Sequence, residues 1–426
     1  MGLIADRLSE ARNDPGWLTR GDHDDVEASP SGVRVTPASA MGLSTFWRCV
    51  DLISNTVSLA PTSVVVRAGG HSFPEYGPPP RWMVTPDPDD PNYLAADYFG
   101  ECTLSMLTEG NYFSLAAPYV WDPQKVTLLD PRRVAVRNPN ADERARLVTG
   151  PRYDVLDARG HVVATVGPER MLHGWWMRMP GEMRGISPLE ALRRGIGGAI
   201  AADDFAARYF GQGASLSFGV EYPGQMTQDK KDEFAASLRR RHAGLASSHA
   251  IGILTQGAKF VAGLAPTPEQ SQMLETRKYG VEDISRIFGV PPGMVGSQQP
   301  GAASYASAVE WRKQFRDDSV LKFTTKLERQ HARLLRVPDG MDPATTVATI
   351  QFDLDWVART DMLARFQSYG EAVAKGIYTP NEARRDEGLP PMDGGDHLYM
   401  QQQMVPVSDL GRTKLTEPMS GQRPAA

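Results

Sequence analysis

The 426-residue sequence predicts an α+β fold with more than one core, and three observations predict it. The pattern Ser/Thr-Pro-x-Glu/Gln recurs at Ser187, Thr267 and Thr379. A hydroxyl cap, proline at the first helical position and a returning Glu or Gln satisfy orphan backbone donors, so each marks a helix start. Between Tyr112 and Trp176, short alternating segments separated by Asp, Gly and Pro turns read as strands. The 33 prolines and 40 glycines then break the chain into many short elements rather than one long bundle.

The elements follow in order. Residues 1–38 are polar, with "GDHDDVEASPSG" in their middle, and predict a flexible arm. Residues 44–61 place Phe46, Val50, Ile53 and Val57 at helical spacing and end at Pro61. "TSVVVRA" follows as a strand, and a Pro-rich link (77–91) leads into a helix ending at Gly110. The strand region comes next, as "NYFSLAA", "KVTLLD", "RRVAVR", "RYDVLD", "HVVATV" and "MLHGWW". A helix from Leu189 to about Phe210 carries Leu189, Leu192, Ile196 and Ile200 on one stripe. Its glycines 195, 197 and 198 mean either a very close neighbouring helix or a locally weak helix. A second helix, from Pro268 to about Phe288, aligns Leu274, Val281, Ile284 and Phe288. Between the two lie a strand, a helix over 227–244 and a strand pair turned at Gln256-Gly257. In "VPPGMVGSQQPGAASYAS" (290–307), two prolines stop the helix near Val290, and the residues beyond offer almost no packing. Residues 305–335 form a long charged helix, whose length and charge ask for neighbours or solvent on several sides. A strand at 345–357 and two short helices at 361–388 complete the ordered chain, and the aliphatic-poor end is expected to be disordered.

Composition narrows the function. A net charge of −5 supplies no global basic field for gripping nucleic acid. Two cysteines, Cys49 and Cys102, cannot make a zinc site alone and read as small buried hydrophobes in a reducing compartment. No apolar run approaches a membrane span, and "MGLIADRL" has neither a signal peptide nor a myristoylation site, so synthesis in the cytosol is expected. Catalytic motifs fail in turn. "GILTQGAK" from Gly252 has P-loop glycine spacing, but Phe260 stands where magnesium needs Ser or Thr. GxGxxG, GxSxG and HExxH are missing, and the eight histidines have no metal-ligand spacing. The pairs Asp203-Asp204 and Asp317-Asp318 splay apart on a helix and read as solvated charge. Arg239, Arg240 and Arg241 fan around a helix, as a solvated face or a docking surface.

Several ordered blocks carry a resemblance across residues 40–400. They are "FWRCVDLISNTVSLAPTSVVVR", "EGNYFSLA", "VTLLDPRRVAV", "RGISPLEALRRGIGGAIAADDFAARYFGQGA", "LETRKYGVEDISRIFGVPPGMVG" and "GIYTPNEARRDEGLPPMDGGD". Together they resemble the HK97-like portal proteins of tailed bacteriophages; "GNYFSLA" is a loose version of its block, and 137–150 matches nothing in the family. The resemblance implies an α+β portal fold with wing, two stem helices, inserted clip, tunnel loop and helical crown, assembling into a ring. By order, residues 1–40 are the arm, 41–186 the wing, 187–213 the first stem helix, 214–265 the clip and 266–290 the second stem helix. Residues 291–303 are the tunnel loop, 304–358 a long helix and wing strand, 359–400 the crown and 401–426 a disordered tail.

That reading implies no enzyme and no cofactor or metal. It implies a ring, usually of twelve, at the unique capsid vertex of the virion, assembled in the host cytoplasm. Double-stranded DNA passes through it non-specifically during packaging and ejection, with large terminase, head–tail adaptor and major capsid protein or scaffold as partners and no membrane. Val295, Gly296, Ser297, Gln298, Gln299 and Pro300 are the implied channel loop, whose neutral side chains contact DNA without holding it. Arg239, Arg240, Arg241, His242 and His249 are the implied docking end of the clip. Two alternatives compete. One is a soluble α/β enzyme with a mobile lid at 291–303; the other is a different head–tail connector, although connectors are smaller and lack two stem-like helices.

Overall fold

A computed structural model of the chain describes residues 29–68, 71–74, 79–137, 150–211, 218–221, 227–229, 233, 259–262, 270–297, 305–338, 340–354 and 362–399. The chain divides into two compact units, 1–358 and 359–426.

Of the arm expected through residue 40, residues 1–28 lie outside the described residues and the last residues are folded. Ser29 and Val35 are buried. Thr36 and Ser39 exchange capping hydrogen bonds at the start of helix α1 (Pro37–Met41), the same Thr-Pro chemistry as at the predicted helix starts. Helix α2 (Ser44–Leu59) buries Phe46, Val50, Ile53 and Val57, the stripe that its sequence spacing predicts. Strand β1 (Thr62–Ala68) lies between β2 (His71–Pro74) and β11 (Thr346–Phe352), antiparallel to both. Helix α3 (Ala95–Glu109) follows, and Gly110 ends it at φ 72°, in the left-handed region that only glycine adopts freely.

All six predicted strands of the middle region form. Strands β3 (Asn111–Tyr119), β4 (Asp122–Leu129) and β8 (Met171–Trp175) make one sheet. Strands β5 (Val134–Arg137), β6 (Arg152–Leu156) and β7 (Val162–Val166) make another. Phe113, Leu115, Leu129, Val134, Tyr153, Val155, Val166 and Met171 form a small core between them.

The helix expected from Leu189 is broken at its start. Helix α4 spans only Pro188–Ala191, Leu192 leaves helical geometry, and α5 runs Arg193–Gly211. The Ser187 hydroxyl does not cap it; it donates to the Thr108 carbonyl at 3.0 Å, so a tertiary bond wins over the local one. The glycine run serves two different neighbours rather than one close helix. A Cβ at Gly197 would stand 2.5 Å from Ser29 Oγ, and one at Gly195 would stand 3.0 Å from Asp283 Oδ2 on α6 (Gln270–Phe288). The cap expected at Thr267 and the Leu274 side chain lie outside the described residues. Strand β10 (Lys259–Ala262) pairs with β9 (Phe218–Glu221); the first strand and the Gln256-Gly257 turn of the expected strand pair lie outside the described residues.

The long helix is likewise composite: α7 (Tyr305–Gln314), a π-helical turn (Phe315–Val320) and α8 (Leu321–His331). Residues 312–314 are exposed, as expected of a charged helix, but α8 is a core helix that buries Phe323, Leu327 and His331. This main core also holds Tyr98, Phe99, Met106, Phe288, Phe315 and Ile350. His331 Nδ1 donates to the Leu327 carbonyl at 2.8 Å, so Nε2 accepts from Tyr98 Oη at 2.8 Å. Burial pushes this imidazole down to about 4 and His173 down to about 3. Cys49 and Cys102 are buried free thiols, and burial raises Cys49 to about 12.

In the second unit, α9 (Met362–Ala374) precedes α10 (Pro380–Asp386). Thr379 and Glu382 form the capping box that the sequence predicts. The tail expected to be disordered, 401–426, lies outside the described residues.

Candidate functional site

The end of α6 and the turn after it form a tightly held loop root in the larger unit. Phe288 sits with its ring edge-on to Phe46 at 5.3 Å and stacked on Trp176 at 5.7 Å. Gly289 then adopts φ 73°, and its carbonyl accepts a hydrogen bond from the buried Ser319 hydroxyl at 2.7 Å. The end of α6 is thus tied to the π-helical turn, a geometry that occurs mostly as single-turn bulges inside α-helices and frequently at functional sites.

Residues 292–295 form a 3₁₀ turn, closed by Gly296 at φ 86° and by a Ser297 N–H donated to the Pro292 carbonyl at 3.0 Å. The prolines suit this turn because their φ is already fixed where it needs it. A Cβ at Gly293 would stand 2.4 Å from the Trp311 ring, so the indole lies directly on this glycine and clamps the turn to α7. Met294 and Val295 pack against the main core. The expectation of almost no packing after Val290 is therefore corrected for 291–297. Here glycine and proline fit a set conformation instead of supplying freedom.

Of the six predicted loop residues, Val295, Gly296 and Ser297 belong to this root, while Gln298, Gln299 and Pro300 lie outside the described residues. Arg239, Arg240, Arg241, His242 and His249 lie outside them as well. Trp176, Trp311 and Ser319 complete the root, and sequence reasoning missed all three. No local pattern distinguishes them, since each acts through a residue remote in sequence.

The electrostatics behind the root come from α8. Lys326 Nζ donates to the Trp175 carbonyl at 2.8 Å and also to that of Trp176. Lys322 Nζ lies 5.1 Å from the Trp176 ring centroid and 5.3 Å from that of Phe323. Burial holds both ammonium groups below the usual lysine range, Lys322 further through its neighbour Lys326.

The most shifted groups, among them Tyr98, His173 and His331, are buried in the packed core, and burial is the leading cause of each shift. A cavity of about 480 Å³ opens beside α3 and β4. Its hydroxyls Ser105 and Thr108 donate to the Asn111 and Leu104 carbonyls, and its Glu109 is paired with Arg132 at 2.8 Å. Among the described residues, no group of three or more His, Cys, Asp or Glu could hold a metal. No described helix is long and apolar enough to cross a membrane.

Residues 44–388 match the family model described as phage portal protein. The chain is 30% identical over 370 residues to the "Probable portal protein" of Streptomyces phage phiC31, covering 86% of this chain and 78% of that one. It is 25% identical over 382 residues to the portal protein of Enterobacteria phage HK97, covering 87% and 84%. Among solved structures, the neck of a native gene transfer agent particle with C12 symmetry has a chain of the same fold. There the TM-score is 0.53 at 21% identity, over 84% of this chain and 95% of that one. The crystal structure of an HK97-family phage portal protein from Corynebacterium diphtheriae gives a TM-score of 0.53 at 14% identity, over 77% and 98%.

Proposed function

The chain belongs to the phage portal protein family, and from that premise we propose that its copies close into a ring of about twelve that forms the DNA channel at the capsid vertex. The genome enters this channel during packaging and leaves through it at ejection. Family membership over 44–388 carries the proposal, and it gives the enzyme with a lid loop no support.

The parts follow from chain order. Residues 41–186 with 304–358 form the wing, and the antiparallel pairing of β1 with β11 supports joining these two stretches. Helices α5 and α6 lie in the stem, 214–265 form the clip and 359–400 the crown. The clip, with Arg239 to Arg241, His242 and His249, docks the large terminase and later the head–tail adaptor. The wing faces the major capsid protein or scaffold. Residues 291–303 are the tunnel loop. Its roots are pinned by Ser319 and Trp311, Ser297 closes the first root, and neutral Gln298 and Gln299 follow toward the tip. Neutral hydrogen-bonding groups touch phosphate without the counterion release that makes lysine and arginine bind tightly.

In vitro packaging tests this assignment. Replacing Gln298 and Gln299 with arginine puts a ring of cations around the channel. The expected result is normal ring assembly with stalled, salt-dependent DNA uptake; unchanged uptake at low and moderate salt would refute the loop assignment.

A further inference from the structure

An ammonium in low-dielectric surroundings is unfavourable unless something neutralises it. Lys322 is such a group. It rests on the faces of Trp176 and Phe323 and makes no hydrogen bond or ion pair among the described residues. Its charged neighbours are Lys326, which repels it, and Asp318. The residues next in sequence to Lys322 and to Trp176 are exposed and apolar, Leu321 at 47% and Met177 at 58%. The patch has the make-up of an interface: an aromatic floor, a desolvated cation and an apolar rim.

Helix α6 carries the complementary chemistry on its other side. Ile284, Ser285 and Phe288 form its inward face, and Phe288 stacks on the same Trp176 that lies beneath Lys322. At 3.6 residues per turn, Tyr279, Glu282 and Arg286 project away from that face. Tyr279 is 64% exposed, and Glu282 is exposed with no ion pair among the described residues. Arg286 is occupied by Asp283 at 3.0 Å. Glu282 thus lies on the side of α6 turned away from Phe288 and Trp176, the ring on which Lys322 rests, and the two charges are not paired with each other within the chain. They are placed as the two halves of a head-to-tail contact, which closes a ring when repeated.

We propose that Lys322, with Trp176, of one copy receives Glu282 and Tyr279 of the next, as an ion pair behind the root of the channel loop. The inference rests on the ring reading above and names the contact that sets its register.

A charge-swap cycle followed by mass photometry decides it. Lys322→Glu and Glu282→Lys should each raise the concentration needed for ring formation by about tenfold or more, and the double swap should recover most of the loss. Lys322→Met, which keeps the packing over Trp176, should weaken assembly while matching the wild-type monomer in circular dichroism, separating lost pairing from lost folding. Wild-type rings with single swaps that assemble normally, or with a double swap no better than its worse parent, would overturn the contact and leave the ring standing. A wild-type protein that forms no ring, with scaffold or without it, would overturn both.

Discussion

Replacing Gly110 with alanine should be among the most damaging single-methyl changes in this protein. The residue ends α3 at φ 72°, where a Cβ costs about 1–2 kcal/mol in strain. That methyl would also stand 2.0 Å from the Ile186 carbonyl oxygen and 2.5 Å from its carbon, which are backbone atoms without rotamers to escape into. The opposing segment, residues 185–187, is itself fastened. The Gly185 N–H donates to Asn111 Oδ1 at 2.6 Å, Asn111 Nδ2 donates to the Gly185 carbonyl at 2.9 Å, and the Ser187 hydroxyl donates to the Thr108 carbonyl at 3.0 Å. Parting the two segments by about an ångström loosens these bonds at about 1 kcal/mol each and leaves the buried Asn111 amide underused. Strain and lost bonds together come to about 4–5 kcal/mol. Gly160 is the matched control: its φ is 82°, but nothing lies within 4 Å of a methyl added there, so Gly160→Ala carries the strain alone. Urea titrations at one protein concentration should place the Gly110→Ala midpoint well below that of Gly160→Ala. Equal midpoints would refute the interlock.

Two further outcomes follow from the same structure. His331 and His173 are neutral in the fold, with values of about 4 and about 3 against an ordinary 6.5. Below pH 6.5 the unfolded chain takes up protons that the native state refuses, so stability is full above that pH and falls as pH drops. The loss from His331 should reach about 2 kcal/mol by about pH 5 and level off near about pH 4, and His331→Asn should flatten the slope in pH-dependent urea titrations. Ser319→Ala removes the hydroxyl that fastens Gly289, so it should cost about 1 kcal/mol and speed limited proteolysis between residues 291 and 304 while the rest of the chain resists as before.

What could be read from the sequence was local. Phe46, Val50, Ile53 and Val57 announce α2 by spacing alone, and Thr379 with Glu382 announces a cap whose bonds close within three residues. Ser187 carries the same motif, yet its hydroxyl serves a carbonyl 79 residues away, which no local pattern reveals. The blocks "EGNYFSLA" and "RGISPLEALRRG" each carry the family resemblance separately. Their physical relation, Gly110 pressed against Ile186, exists only in the fold. The loop root repeats the lesson. Two prolines announce that α6 stops, but the ring of Trp311 on Gly293 and the bond from Ser319 to Gly289, 30 residues apart, depend on how two helices return to each other. The π-helical turn is equally invisible, because "FRDDSV" reads as ordinary helix.

The central claim is that this chain works as a ring around DNA. Mass photometry of the purified protein at micromolar concentration, with particles imaged by electron microscopy, tests it most directly. Closed rings of about twelve copies with an open central channel are the expected result, if necessary with scaffold added. Monomers and dimers alone, with and without scaffold, would contradict the account.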